Sequence, residues 1–180
     1  DGGDILQGSA FAYYCRQVAD SPEVIADIMN DCGYDYYTLG NHDFNYGLDY
    51  QAAYRSRNNG VCVCQNITDE KGNTLFPWKL HMMKNGLRIG IAGIVTDYVN
   101  IWEKEENIKG IHITDPFEAA KRALAQMKEQ TDLTICIYHG GFECDLESGE
   151  VLSKTTENVG YKICKELDFD ILLTGHQHMS

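Results

Sequence analysis

The sequence predicts a single α/β domain over residues 1–180, on three observations. Strand-like and helical stretches alternate along the chain, polar clusters fall where the strands end, and no repeat, linker or low-complexity tract divides it. A doubly layered α/β fold of this kind carries its site where loops leave the carboxyl ends of the strands.

Each element has a local reason. Gly8-Ser9 closes a short acidic loop, and a helix is expected from Ala10 to Val18. Ser21-Pro22-Glu23 opens the next helix with a cap, a proline at the first position and an acid in the first turn. Val24, Ile25, Ile28 and Met29 form its apolar stripe and Gly33 ends it. Asp35 to Leu39 reads as a strand, Leu48 to Asn58 as a helix and Val61 to Cys64 as a buried strand. Phe76 to Met83 and Leu87 to Val95 form a hairpin about Asn85-Gly86. Small residues in Gly90-Ile91-Ala92-Gly93 allow a close sheet approach. The stretch Thr96 to Gly110, rich in Glu and Lys, is expected to be a surface excursion in which Tyr98 and Trp102 pack. Asp115-Pro116 caps a helix running to about Gln130. Leu133 to Tyr138 is a strand, Asn158 to Leu167 a helix and Asp170 to Thr174 the last strand.

Composition sets limits. Of 180 residues, 43% are hydrophobic, enough for one real core. The formal net charge is −12, which argues against a nucleic-acid or anionic-membrane surface. It leaves open small phosphate substrates, because a bound divalent ion reverses the local field. No apolar run is long enough to span a bilayer. The 7 cysteines contain no Cys-x-x-Cys pair and read as small core residues of a reduced protein. Nothing in the sequence assigns an oligomeric state.

Four loops carry metal-type ligands: Asp4; Asn41 with His42; His139; and His176 with His178. Three of them follow an apolar strand, and glycines flank Asn41-His42-Asp43, His139 and His176. Histidine, aspartate and asparagine without cysteine suit Mn²⁺, Fe, Zn²⁺ or Mg²⁺. A strand would send His176 and His178 to one face. Two metals about 3.5–4 Å apart hold a phosphate and activate a water, and Asp4 is the carboxylate placed to bridge them. His81 and His112 lack such settings and read as structural.

These stretches, Asp4-Ile5-Leu6-Gln7-Gly8-Ser9, Gly40-Asn41-His42-Asp43, His139-Gly140-Gly141 and Gly175-His176-Gln177-His178, resemble the ordered motifs of the calcineurin-like metallophosphoesterases. Within them the chain is similar to the group of 5′-nucleotidases and 2′,3′-cyclic-nucleotide phosphodiesterases. The resemblance implies a four-layer α/β/β/α sandwich with a dinuclear site. It implies that Asp4 bridges the metals, that Asn41, His139 and His176 complete one ligand set, and that His178 serves the other. His42 then protonates the leaving oxygen, with Asp43 and Asn45 in the catalytic set.

Three departures shape the expectations. The family opens with an Asp-x-His motif that supplies the His178 metal, and none precedes Asp4; the chain is expected to be truncated at both ends relative to the family. It should bind one metal well and a second weakly or not at all, and expose an unpaired strand edge. Asn45 stands where 5′-nucleotidase-like members carry Asp, which orients the imidazole without adding charge and favours 2′,3′-cyclic and 3′-nucleotides as substrates. Members of the group commonly carry a C-terminal domain whose aromatics stack the base, which lies outside these 180 residues, so base specificity is not readable from them. The alternatives are a 5′-nucleotidase or UDP-sugar hydrolase, and a catalytically silent metal-binding chain.

Overall fold

The computed structural model describes residues 1–178. Helices α1 (Ala10–Tyr14), α2 (Glu23–Cys32) and α3 (Gly47–Arg57) lie in the first half, with the short strands β1 (Tyr36–Tyr37) and β2 (Val61–Cys62). Strands β3 (Cys64–Asp69), β4 (Thr74–Phe76), β5 (Lys79–Met82) and β6 (Arg88–Val95) follow. Then come α4 (Val99–Trp102), β7 (Ile111–Ile113), α5 (Pro116–Met127), β8 (Leu133–His139), α6 (Gly160–Glu166) and β9 (Ile171–Thr174).

The layers follow from which faces are apolar. The main sheet has the order β5-β6-β8-β9, parallel except for the β5–β6 hairpin. One face of β6 and β8 (Ile94, Cys136, Tyr138) packs on Phe117, Ala119 and Ala120 of α5 and Ile163 of α6. The opposite face (Ile91, Ile137) meets Val63 and Tyr36 of the other β layer. That second layer buries Tyr37 and Cys64 against Ile25 and Met29 of α2 and Tyr54 of α3. The result is helix, sheet, sheet, helix, as the resemblance implied. Gly93 makes the sheet-on-sheet contact possible, because a Cβ there would lie 1.8 Å from the Val63 carbonyl oxygen.

Several boundaries differ from expectation for identifiable reasons. The expected helix 10–18 keeps helical hydrogen bonding only to Tyr14 and continues as a π-turn through Ala19, where Asp20 adopts φ 49°. The second helix starts one residue later than expected: Pro22 takes the N-cap position, where it has no side-chain cap to offer, and Ser21 stands one residue before it, its Oγ accepting from the Glu23 amide at 3.2 Å. Phe76 leaves the expected hairpin and joins β4, paired with Cys64 of β3, since Pro77 has no amide to continue the ladder. β1 is shorter than the expected strand, because its partner chain leaves at Val63 to enter β3. The other edge of β1 is met by Asp1, whose backbone nitrogen donates to the Tyr36 carbonyl at 2.8 Å and whose carbonyl accepts from the Thr38 amide at 3.1 Å. Among the described residues no helix is long and apolar enough to cross a membrane. All 7 cysteines are free; Cys15, Cys64, Cys136 and Cys144 are buried, and burial pushes the Cys64 thiol up to about 12.

Candidate metal centre

The loops that leave β1, β8 and β9 converge with the N-terminal loop on one cleft. It has a volume of about 700 Å³ and is lined by Asp4, His42, His139, His176 and His178 among others. The carboxylate of Asp4 and one ring nitrogen each of His139 and His176 lie within 4.8 Å of one another. His139 ends β8, and its Nδ1 donates to the Gly2 carbonyl at 2.6 Å. Its Nε2 is thereby aimed at the Asn41 Oδ1 and the Asp4 Oδ2, each 3.1 Å away. His176 Nε2 meets the Glu157 carboxylate at 2.7 Å, and its ring stacks on Trp102 with centroids 5.6 Å apart.

This donor set fits a divalent cation. A carboxylate oxygen, an amide oxygen and two imidazoles meet; the far nitrogen of His139 is held by a backbone carbonyl, as metal-binding histidines require, and a carboxylate meets one nitrogen of His176. Burial disfavours charge on both Asp4 and His139, yet their mutual attraction wins, holding the Asp4 carboxyl below its usual range and the His139 imidazole above it. The backbone also concentrates its strain here. Asp4 (φ 65°), His176 (φ 72°) and His178 (φ 52°) all take the left-handed region that non-glycine residues avoid. Gly40 is required for the approach, since a Cβ would fall 2.2 Å from the Asp4 Oδ1.

A family model of the calcineurin-like phosphoesterases matches residues 1–180. The chain belongs to that family. The crystal structure of a Staphylococcus aureus protein assigned as a 5′-nucleotidase, in complex with alpha-ketoglutarate, is similar to this phosphoesterase with a TM-score of 0.91. The two share 37% identity over 98% of this chain and 35% of that one. The 2′,3′-cyclic-nucleotide 2′-phosphodiesterase/3′-nucleotidase of Yersinia enterocolitica is 31% identical over 192 residues, 99% of this chain and 29% of its own length. The 5′-nucleotidase of Vibrio vulnificus is 30% identical over 151 residues, 82% of this chain and 27% of its own length. The phosphoesterase chain thus spans less than a third of these curated relatives.

The expected site residues take four different places in this calcineurin-like phosphoesterase. Asp4, Asn41, His139 and His176 come together. His178 lines the same cleft but on a loop, because β9 ends at Thr174; the expected strand face does not exist. His42 lines the cleft, with its Nδ1 2.8 Å from the Asn45 Oδ1 behind it. Asp43 needs a correction. It was expected in the catalytic set, but it is buried and its carboxylate faces the backbone, accepting from the amides of Asp4 (2.9 Å), Ile5 (3.0 Å), Leu6 (3.0 Å) and Gly40 (2.8 Å). It ties the Asp4 loop to the Asn41 loop.

Asp43→Asn keeps the shape but turns an NH₂ toward amide donors. It is expected to cost roughly 2–4 kcal/mol in the urea unfolding free energy of the metal-free chain. An unchanged midpoint would show that the clamp is dispensable.

Sequence reasoning missed Glu157, Glu103 and the Gly2 carbonyl. The two glutamates lie in polar stretches with no periodicity, and a carbonyl has no side-chain signal. It also missed the buried Asn158, whose Oδ1 accepts from the Gly141 amide at 2.6 Å and holds the loop after His139.

Proposed function

We propose that this chain is the metal-binding catalytic part of a phosphoesterase that hydrolyses nucleotides, with 2′,3′-cyclic and 3′-nucleotides preferred. The observation that carries the reading is the convergence of Asp4, Asn41, His139 and His176 beside a histidine that is not part of their cluster. In this reading those four residues would hold one divalent ion of Mn, Zn, Fe or Mg firmly, and His178 with Asp4 alone would hold a second weakly or not at all. A bound divalent ion supplies Lewis acidity toward a phosphate oxygen and lowers the pKa of a water.

The chain's own residues do the rest. Asn45 Oδ1 accepts a hydrogen bond from the Nδ1–H of His42, which leaves Nε2 for the cleft. From there His42 hands a proton to the departing ribose oxygen, which would otherwise leave as a costly alkoxide. The left-handed turns at His176 and His178 set their rings at the cleft mouth, and Trp102 stacks on His176 to hold it. The acidic chain meets an anionic substrate only where a cation is held, so loading should govern substrate affinity as well as rate.

The substrate preference rests on Asn45 and on the likeness to the Yersinia enterocolitica protein. The likeness to 5′-nucleotidases favours the second reading, hydrolysis of 5′-nucleotides. A kcat/KM series on 2′,3′-cyclic AMP, 3′-AMP and AMP decides between them. The expected order places AMP last, and a clear preference for AMP overturns the first reading in favour of the second.

A further inference from the structure

Asn45, which holds His42, is itself held. Its Nδ2 donates to Glu103 Oε2 at 2.7 Å. The other oxygen of Glu103 accepts from the Asn107 side chain at 2.8 Å and from the Lys104 amide at 2.8 Å. Asn107 also donates to the Asn45 carbonyl at 3.0 Å, which fixes the backbone beneath the amide. Glu103 directly follows α4 and Trp102, in the stretch expected to be a mere surface excursion.

The chemistry of this chain of contacts has a direction. A carboxylate only accepts hydrogen bonds, so the atom that Asn45 turns toward Glu103 must be its NH₂. Its carbonyl oxygen then faces His42, and that oxygen also only accepts. The nitrogen of His42 beside it must therefore be protonated. We propose that Glu103 is a positioning residue for His42. It locks the Asn45 amide so that Nδ1 stays protonated and the proton that comes and goes does so at Nε2, in the cleft. The carboxylate that an Asp at position 45 would place against the imidazole stands one residue further back, and an amide relays its orientation. The inference deepens the reading of His42 as proton donor and rests on it for its kinetic consequences alone.

Glu103→Gln tests it sharply. The Gln oxygen is drawn to the side with two donors, Lys104 and Asn107, so its NH₂ faces Asn45. The Asn45 amide turns over and presents NH₂ to His42, whose Nδ1 becomes an acceptor. The doubly protonated imidazole that a leaving oxygen needs then has two donors facing each other.

The first readout needs neither metal nor activity. Long-range ¹H–¹⁵N spectra of the metal-free chain should show His42 protonated on Nδ1 in the parent and on Nε2 in Glu103→Gln. The second readout is kinetic. On 2′,3′-cyclic AMP the variant should lose about 10- to 100-fold in kcat with KM unchanged. On bis(4-nitrophenyl) phosphate, whose leaving group needs no proton, it should lose little. The third is a reversal of sign. In an Asn45→Asp background Glu103 faces a second carboxylate, so Glu103→Gln should raise kcat there; a folding defect would lower it in both backgrounds. A His42 that keeps its Nδ1 proton in Glu103→Gln overturns the proposal, as does an equal loss on both substrates or a loss in both backgrounds. An inactive parent whose tautomer still switches overturns the phosphoesterase reading instead and supports the positioning role.

Discussion

His42→Ala is expected to lower kcat on 2′,3′-cyclic AMP by about 10²- to 10⁴-fold, the range that a positioned proton donor supplies, while bound metal stays unchanged. The separation of the two effects follows from where His42 makes its contacts. Its link to the ligand cluster is its backbone amide, which donates to the Asp4 Oδ1 at 2.7 Å, and alanine keeps that amide. Its side chain lines the cleft and is held from behind by Asn45 at Nδ1, which is not one of the ligands. Removing the imidazole therefore leaves Asp4, Asn41, His139 and His176 in place and deletes the proton. The loss should shrink with a 4-nitrophenyl leaving group, whose anion is stable in water. A variant that loses metal along with activity would place His42 among the ligands. One that keeps full activity on the nucleotide would remove it from the chemistry.

How far the site was legible from the sequence depends on what each residue does. Ligand types announce themselves: a histidine or aspartate beside glycines at a strand end has few other reasons to be there. His139 and His176 were readable for that reason, and so was the turn at Asn85-Gly86, where Gly86 takes φ 89°. Residues that act by being buried among polar groups did not announce themselves. Asn66 is fully buried, and its amide donates to the carbonyls of Val95 at 2.6 Å and Thr114 at 3.0 Å, stitching two sheets together. In sequence it sits in Gln65-Asn66-Ile67-Thr68, which lacks the apolar run of a buried strand, so the expected strand stopped at Cys64, where β3 begins. Asp43 was misread for the opposite reason. It adjoins His42 and carries a carboxylate, and only its four amide partners show that it faces inward. Glu103 fell in a stretch expected to be a surface excursion and Glu157 drew no reading at all, because their partners Asn45 and His176 are 58 and 19 residues away in sequence.

Metal content is where the chain's own donors make the boldest statement. After loading with Mn²⁺ or Zn²⁺ and desalting, the chain is expected to retain about one ion, because a stable protein site wants three to four ligands and the described residues build one such group. Among the described residues a single cluster of three converging acid and histidine side chains exists, Asp4 with His139 and His176, and Asn41 adds its oxygen to it. The second position has Asp4 and His178 alone among the residues assigned to it. The variants follow from that asymmetry. His139→Ala removes the donor that both Asp4 and Asn41 surround, and affinity should fall by more than about 100-fold, beyond the loss typical of a mere supporting contact. His178→Ala should leave the retained ion in place. The same contrast should appear without any assay of hydrolysis, as a metal-dependent rise in melting temperature that His139→Ala abolishes and His178→Ala preserves. Retention of two ions by the parent chain, with one lost in His178→Ala, would mean that His178 and Asp4 complete a second site with donors not assigned to it, and that the chain is equipped for two-metal hydrolysis as it stands.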